Sequence, residues 1–327
     1  MYDVITVGSA TLDVFAKTRF SELIKIIDPR GETDLLAYPS GSKILIDELT
    51  FEVGGGGTNT AVSLSRLGHK VAFMGKLGND ENSRIIATYL KKERIRLLCA
   101  HGKGQSGFSV ILDTLEHDRT ILTHKGVNDD LKFSELNLKE LKTKWFYFSS
   151  MMETSFKTQE KLSDFAKKNG IKIAFNPSSY LAVKGSVFLT KILRNTDLLI
   201  LNLEEAEMIV GKNPKENLLK KLMDLGPKIV VITDGKNEML VGDSNFIYRA
   251  HPPIAKVVDA TGAGDAFASS FLSGLIQKGN VEFAIRLGVV NAQSVVAHYG
   301  AKNILLKKKE ALKKAKNLKI KILKKKI

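Results

Sequence analysis

Short runs rich in β-branched and aromatic residues alternate along the chain with longer segments whose apolar positions recur every three or four residues. The first set comprises residues 4–7, 71–74, 145–149, 171–175, 198–201 and 229–233, several bounded by Gly, Asn or Asp. Segments 60–67, 83–92, 156–168, 204–210 and 217–225 carry the helical spacing. This alternation persists for nearly the whole length. It predicts an α/β fold, a doubly wound and mostly parallel central sheet between helical layers.

Two stretches in the first half break the rhythm. Residues 15–53 pass through Pro29, Gly31, Pro39 and Gly41 with little helical periodicity after Ile27, and end in a strand-like segment at 43–53. Residues 107–124, GFSVILDTLEHDRTILTH, read as a hairpin whose arms flank a polar turn at 116–118. Together they predict a small β-sheet lid that would exclude water from a reaction centre. The expected division is a core of residues 1–14, 54–106 and 125–305, lid segments 15–53 and 107–124, and a lysine-rich tail at 306–327.

Composition narrows the class. With 327 residues and 43% hydrophobic content the chain can bury a substantial core. No window reaches the eighteen or so consecutive apolar residues of a membrane helix. Cys99 is the only cysteine, so no intramolecular disulfide is possible, and no basic leader precedes the first strand. A cytoplasmic protein is expected.

The formal charge of +15 suggests an anionic partner until its distribution is considered. Residues 302–327 hold twelve lysines against one acid, Glu310, which places +11 of the charge there. Such a tail could touch nucleic acid or anionic lipid through phosphates, but it lacks interleaved aromatics that would stack on bases. A solvated tail or lysine-rich last helix is the plainer expectation.

The most informative segment is DATGAGDAFASSFLSGL, residues 259–275. Its glycine-rich half leaves the backbone N–H groups of Gly262, Ala263 and Gly264 unobstructed where a helix begins, a concave anion site strengthened by the helix dipole. A carboxylate beside a bound phosphate would be mere repulsion unless it had a task. For Asp265 that task would be accepting the proton of an attacking hydroxyl. Taken alone, the segment also reads as a glycine turn capped by an aspartate. It is not a Walker A loop, since no Gly-Lys-Ser or Gly-Lys-Thr follows.

A second glycine run, EVGGGGTNTAVSLSRLG at residues 52–68, lies between a strand and a helix. Glycines there permit close approach of a ligand, and the Asn59 amide can bond a hydroxylated one. A dinucleotide fingerprint would need a third glycine where Asn59 stands.

The two segments together resemble the paired signatures of the ribokinase-like, or PfkB, carbohydrate kinase family, over roughly residues 4–301. The resemblance implies a three-layer α/β/α sandwich with a β lid. It also implies an ATP- and Mg2+-dependent phosphotransferase acting on a hydroxyl of a small sugar or nucleoside. Carried over residue by residue, it makes Asp265 the general base and the backbone of Gly262, Ala263 and Gly264 the anion hole. Substrate contacts fall on Asp13 at the end of the first strand and on Gly54, Gly55, Asn59 and Arg119. Asn202 and Glu205 match the motif that holds magnesium and phosphates through water, although Asn202 followed by Glu205 is also an ordinary capping arrangement. Thr233, Gly235 and Asn291 fall where relatives meet ATP.

Backbone groups of Asp259 and Thr261 would be ligands for a potassium ion, and a homodimer through the lid is expected. Two departures stand out: Ala260 replaces a common threonine, and Gly56 replaces the lysine usual in ribokinases proper. The rival classes are a nucleoside kinase, a non-catalytic metabolite-binding relative, and a nucleic-acid binder driven by the lysine tail.

Overall fold

The structure is a computed structural model, described here for residues 1–20, 22–28, 31–113, 119–255, 260–297, 302 and 304–326, with only the backbone of Asp113 and Arg119. A ten-stranded sheet organises it. In chain order its strands are β1 (Tyr2–Val7), β6 (Val71–Met74), β8 (Arg96–Leu97), β12 (Thr143–Phe148), β13 (Lys172–Phe175), β14 (Leu198–Asn202), β15 (Ile229–Thr233), β16 (Met239–Gly242), β17 (Phe246–Ala250) and β18 (Ile322–Lys326). Across the sheet they run β18-β17-β16-β15-β14-β13-β12-β1-β6-β8. Pairing is parallel from β8 to β15 and antiparallel from β15 to β18.

The strands are apolar on both faces because both are covered. Tyr147, Ile200 and Val231 enter one core with α1 (Gly56–Arg66), α2 (Glu81–Lys92), α8 (Ala263–Lys278) and α9 (Val281–Val296). Their neighbours Phe146, Phe148, Leu199, Leu201, Val230 and Ile232 enter the other, with α3 (Glu153–Lys168), α4 (Ser178–Ala182), α5 (Gly185–Leu193), α6 (Leu203–Val210) and α7 (Lys215–Asp224). This is the period-two signature of a sheet buried from two sides. The three-layer α/β/α architecture expected from the sequence is present.

α8 and α9 pack closely at Gly274, where a Cβ would stand 2.6 Å from the Ala284 Cα. Overpacking of this kind costs about 1–3 kcal/mol. Gly274→Ala should therefore lower the unfolding free energy, read by denaturant titration, by that amount while leaving turnover at permissive temperature unchanged.

A separate four-stranded sheet has the order β11 (Arg119–His124), β10 (Gly107–Asp113), β2 (Thr11–Lys17), β5 (Glu48–Gly54). β2 begins at Thr11, so Asp13 belongs to the small sheet and sits on the second strand, not at the end of the first. Between β2 and β5 the chain forms a hairpin of β3 (Glu22–Asp28) and β4 (Gly31–Ala37), which helical and loop signals alone did not reveal. A short pair, β7 (Lys76–Leu77) with β9 (Ala100–His101), completes the strands among the described residues.

The lysine-rich end is not a free tail. Its apolar residues Leu306, Ala311 and Ala315 pack against Leu67, Leu287 and Val290 through α10 (Lys308–Asn317), and β18 then extends the main sheet. The lysines point outward, and Lys324 lies 3.8 Å from the Phe246 ring centroid. A charge count hides this because the apolar residues sit at the spacing of a helix face between the lysines. Among the described residues no helix is long and apolar enough to cross a membrane.

Candidate active site

Parallel strands present their C-terminal ends to a common crevice. Here β14 ends on Asn202, β15 on Thr233, and the turn after β13 supplies Asn176. With Glu205, Gly262, Gly264, Asp265 and Phe267 they line a cavity of about 240 Å³.

The helix α8 opens onto this cavity. Gly262 is its N-cap at φ 74°, a left-handed conformation in which glycine is the residue of least strain. A Cβ at Gly264 would meet nothing within 4 Å, so the turn is open on the cavity side. The Ala263 amide donates to the Ala260 carbonyl at 3.2 Å. That bond withdraws one of the three expected anion-hole amides and leaves those of Gly262 and Gly264 to line the turn.

One turn of helix places Asp265 beside α1. Asn59 Nδ2 donates to Asp265 Oδ2 at 2.8 Å, tying two helix starts 206 residues apart. The glycine run threads between two carboxylates. A Cβ on Gly54 would stand 1.7 Å from Asp13 Oδ2, and one on Gly56 would stand 3.6 Å from Asp265 Oδ1. Gly55 starts α1 at φ 92°. Asp13 pairs across the small sheet with Ser109 and Glu52, and its Oδ1 is buried with no hydrogen-bond partner among the described residues. An orphaned buried acceptor of that kind calls for a donor.

Burial pushes the Asp265 carboxyl up to about 6, against the opposing pull of the Asn59 hydrogen bond and the Lys302 charge. Burial likewise raises Glu205, which is 8% exposed, with Glu204 and Asp265 adding repulsion. Glu205 also closes a capping box: Oε2 accepts from the Asn202 amide at 3.0 Å while Asn202 Oδ1 accepts from the Glu205 amide at 2.8 Å. The two readings of this pair are therefore compatible. The cap employs Oε2, and Glu205 lines the cavity as well.

Residues 22–308 match the model of the pfkB family of carbohydrate kinases. The chain belongs to that family. PfkB proteins are ATP-dependent sugar or nucleoside kinases. Among relatives, the chain is 27% identical over 310 residues to an ATP-dependent 6-phosphofructokinase of Thermoanaerobacterium thermosaccharolyticum, covering 92% of this chain and 89% of that protein. It is 28% identical over 276 residues to a cytidine kinase of Thermococcus kodakarensis, covering 82% and 94%. The crystal structure of a ribokinase from Thermotoga maritima superposes with a TM-score of 0.82 at 22% identity, covering 97% of this chain and all of that one.

In this PfkB chain not every expected position reaches the cleft. Asn291 does not line the cleft: it is fully buried, donating to Ser270 Oγ at 2.6 Å and accepting from the Leu306 amide at 2.9 Å. It fastens the C-terminal segment to α8 and α9. Thr233 lines the cavity, and Gly235 forms the turn that follows it at φ 53°. Arg119 is placed by its backbone at the start of β11, opposite Asp113. Asp259 lies outside the described residues, while Thr261 sits at the mouth of the α8 turn.

Two residues of the site escaped the sequence reading. Asn176, whose amide donates to the Ile200 carbonyl at 2.9 Å, could have been found from the Asn-Pro turn that follows β13. Lys302, buried and bonded to Asn59 Oδ1 at 2.6 Å, was hidden at the head of a lysine run.

Proposed function

We propose that the chain transfers the γ-phosphoryl group of ATP to a hydroxyl of a small sugar or nucleoside, with Asp265 as general base. The observation that carries this reading is a half-buried carboxylate at the opening of α8, within hydrogen-bond reach of Asn59 and across the glycine run from the orphaned acceptor of Asp13. A hydroxylated acceptor placed there can donate one hydroxyl to Asp13 and present another to Asp265. The α8 turn then receives the transferring phosphoryl group, its dipole and the Gly262 and Gly264 amides meeting the developing charge. Little covalent work is asked of the protein, so positioning and electrostatics supply most of the acceleration.

ATP would extend from that turn along the ends of β14 and β15, toward Thr233 and Gly235. Glu205, with Asn202, is the residue set that suits Mg2+ held through water, because one carboxylate plus substrate phosphates is the usual environment of that ion. Magnesium would neutralise phosphate charge there. Among the described residues no cluster of three or more metal-ligating side chains competes for the role.

Assembly through the lid belongs to the same proposal. Leu23, Ile24, Ile26, Ile27 and Leu35 of the β3–β4 hairpin are all exposed, Ile27 to 76%, and a second copy would cover them.

The test is an ATP-consumption screen across pentoses, hexoses, sugar acids and nucleosides. We expect ADP formation that depends on one acceptor class and yields an equal amount of phosphomonoester. ADP release at the same rate with and without every acceptor would overturn the reading.

A further inference from the structure

We propose that Lys302 is a positioning residue for phosphoryl transfer, locking the Asn59 amide so that its NH2 group always faces Asp265. This deepens the function proposed above and rests on it. Lys302 is 2% exposed, and its ammonium is held by three neutral acceptors: the Val53 carbonyl, Asn59 Oδ1 at 2.6 Å and Thr58 Oγ1 at 3.5 Å. Among the described residues it forms no salt bridge. Removing an ammonium from water without a carboxylate partner is costly, and an apolar side chain of the same length would occupy the slot without that cost. The charge has a task.

Geometry shows what the task is. A lysine ammonium only donates, so the Asn59 atom that faces it must be the oxygen. The amide nitrogen is thereby turned to Asp265, where Nδ2 and Oδ2 stand 2.8 Å apart. While Asp265 is ionised it selects this orientation unaided. Once it has taken the acceptor's proton, the neutral acid could donate to a flipped Asn59 oxygen and be trapped in that bond. Lys302 forbids the flip, so the proton remains on the cleft side, free to leave before the next turnover.

Lys302 also stands between two spaces. It lines a cavity of about 450 Å³ together with Tyr89 of α2 and Val53 of the small sheet. The row Lys302–Asn59–Asp265 therefore crosses the wall between that cavity and the cleft. The charges that face this row are few. Asp265 is in electrostatic reach of Tyr147 on β12 and Glu205 on α6. Lys302 is attracted by Asp13, Glu52 and Asp265, is repelled by Arg66, and lies 5.8 Å from the Tyr89 ring centroid. Burial lowers its own pKa to about 8, which leaves it mostly charged at neutral pH.

The experiment compares Lys302→Met, which keeps the length and loses the ammonium, with Lys302→Gln, which keeps a neutral donor toward Asn59. For Lys302→Met we expect kcat to fall by about 10- to 100-fold, the KM for ATP to stay within about twofold, and the acid limb of the pH–rate profile to move up by about one pH unit. Lys302→Gln should recover part of the lost turnover. In an Asn59→Ala background the lysine substitution should have no further effect on kcat, because its action passes through Asn59.

Wild-type kcat and an unmoved acid limb in Lys302→Met would overturn the proposal, as would an undiminished loss in the Asn59→Ala background. Asp265→Asn is measured in parallel. Full turnover in that variant defeats the general-base reading itself, whereas an inactive Asp265→Asn beside a normal Lys302→Met defeats only the lock.

Discussion

An Asp265→Asn enzyme should turn over about 10² to 10⁴ times more slowly than the wild type, the usual worth of a positioned general base. Asparagine fills almost the same volume and can still bond Asn59, so the fold and the α8 turn are kept. What disappears is the ability to take a proton from the acceptor as it attacks phosphorus. In the proposed binding mode the nucleotide is held by the helix N-terminus and the ends of β14 and β15, and removing a negative charge beside the phosphates should not weaken it. Single-turnover transfer together with calorimetric titration of ATP separates the two effects. A chemical step within about threefold of wild type would remove Asp265 from the base role.

The next largest effect is expected from Gly54→Ala. A methyl group there would stand 1.7 Å from Asp13 Oδ2, 2.4 Å from its Cγ and 2.7 Å from Thr11 Oγ1, so the Asp13 carboxylate must move. Displacement of a substrate-orienting group by about 1 Å is enough to cost roughly 10²-fold. The loss should appear in kcat/KM for the acceptor, with ATP affinity unchanged, because Gly54 lies beside β2 and away from the α8 turn. Equal losses for both substrates would instead point to a damaged helix α1.

Much of this architecture was legible in the sequence because its signals are local. Runs such as residues 198–201 and 229–233 are apolar on both faces and so mark strands covered by helices on either side. The two glycine-rich segments carry their chemistry within a few residues, so the positions of Asp265 and Asn59 at helix starts could be anticipated. Harder to see were features created by long-range closure. Lys302 meets Asn59 across 243 positions, and nothing near it distinguishes it from the eleven lysines that follow. Asn291 lies in a helix facing the core, where its polarity is spent on Ser270 and Leu306 rather than on a ligand. The β3–β4 hairpin was obscured because β3 is apolar on both sides yet exposed and β4 opens on the polar run Glu32, Thr33 and Asp34, so neither shows the alternation by which a half-buried hairpin is recognised.

The pH dependence of transfer tests the central claim most directly. Burial raises the Asp265 pKa to about 6, and the group must be ionised to accept a proton. Activity should therefore be complete well above that value and be lost as the pH falls through it. With both substrates held far below saturation, the wild-type rate should drop about tenfold per unit below the inflection, and the Asp265→Asn variant should lack that limb. A wild-type rate that stays flat down to roughly pH 5 would contradict the assignment of the base.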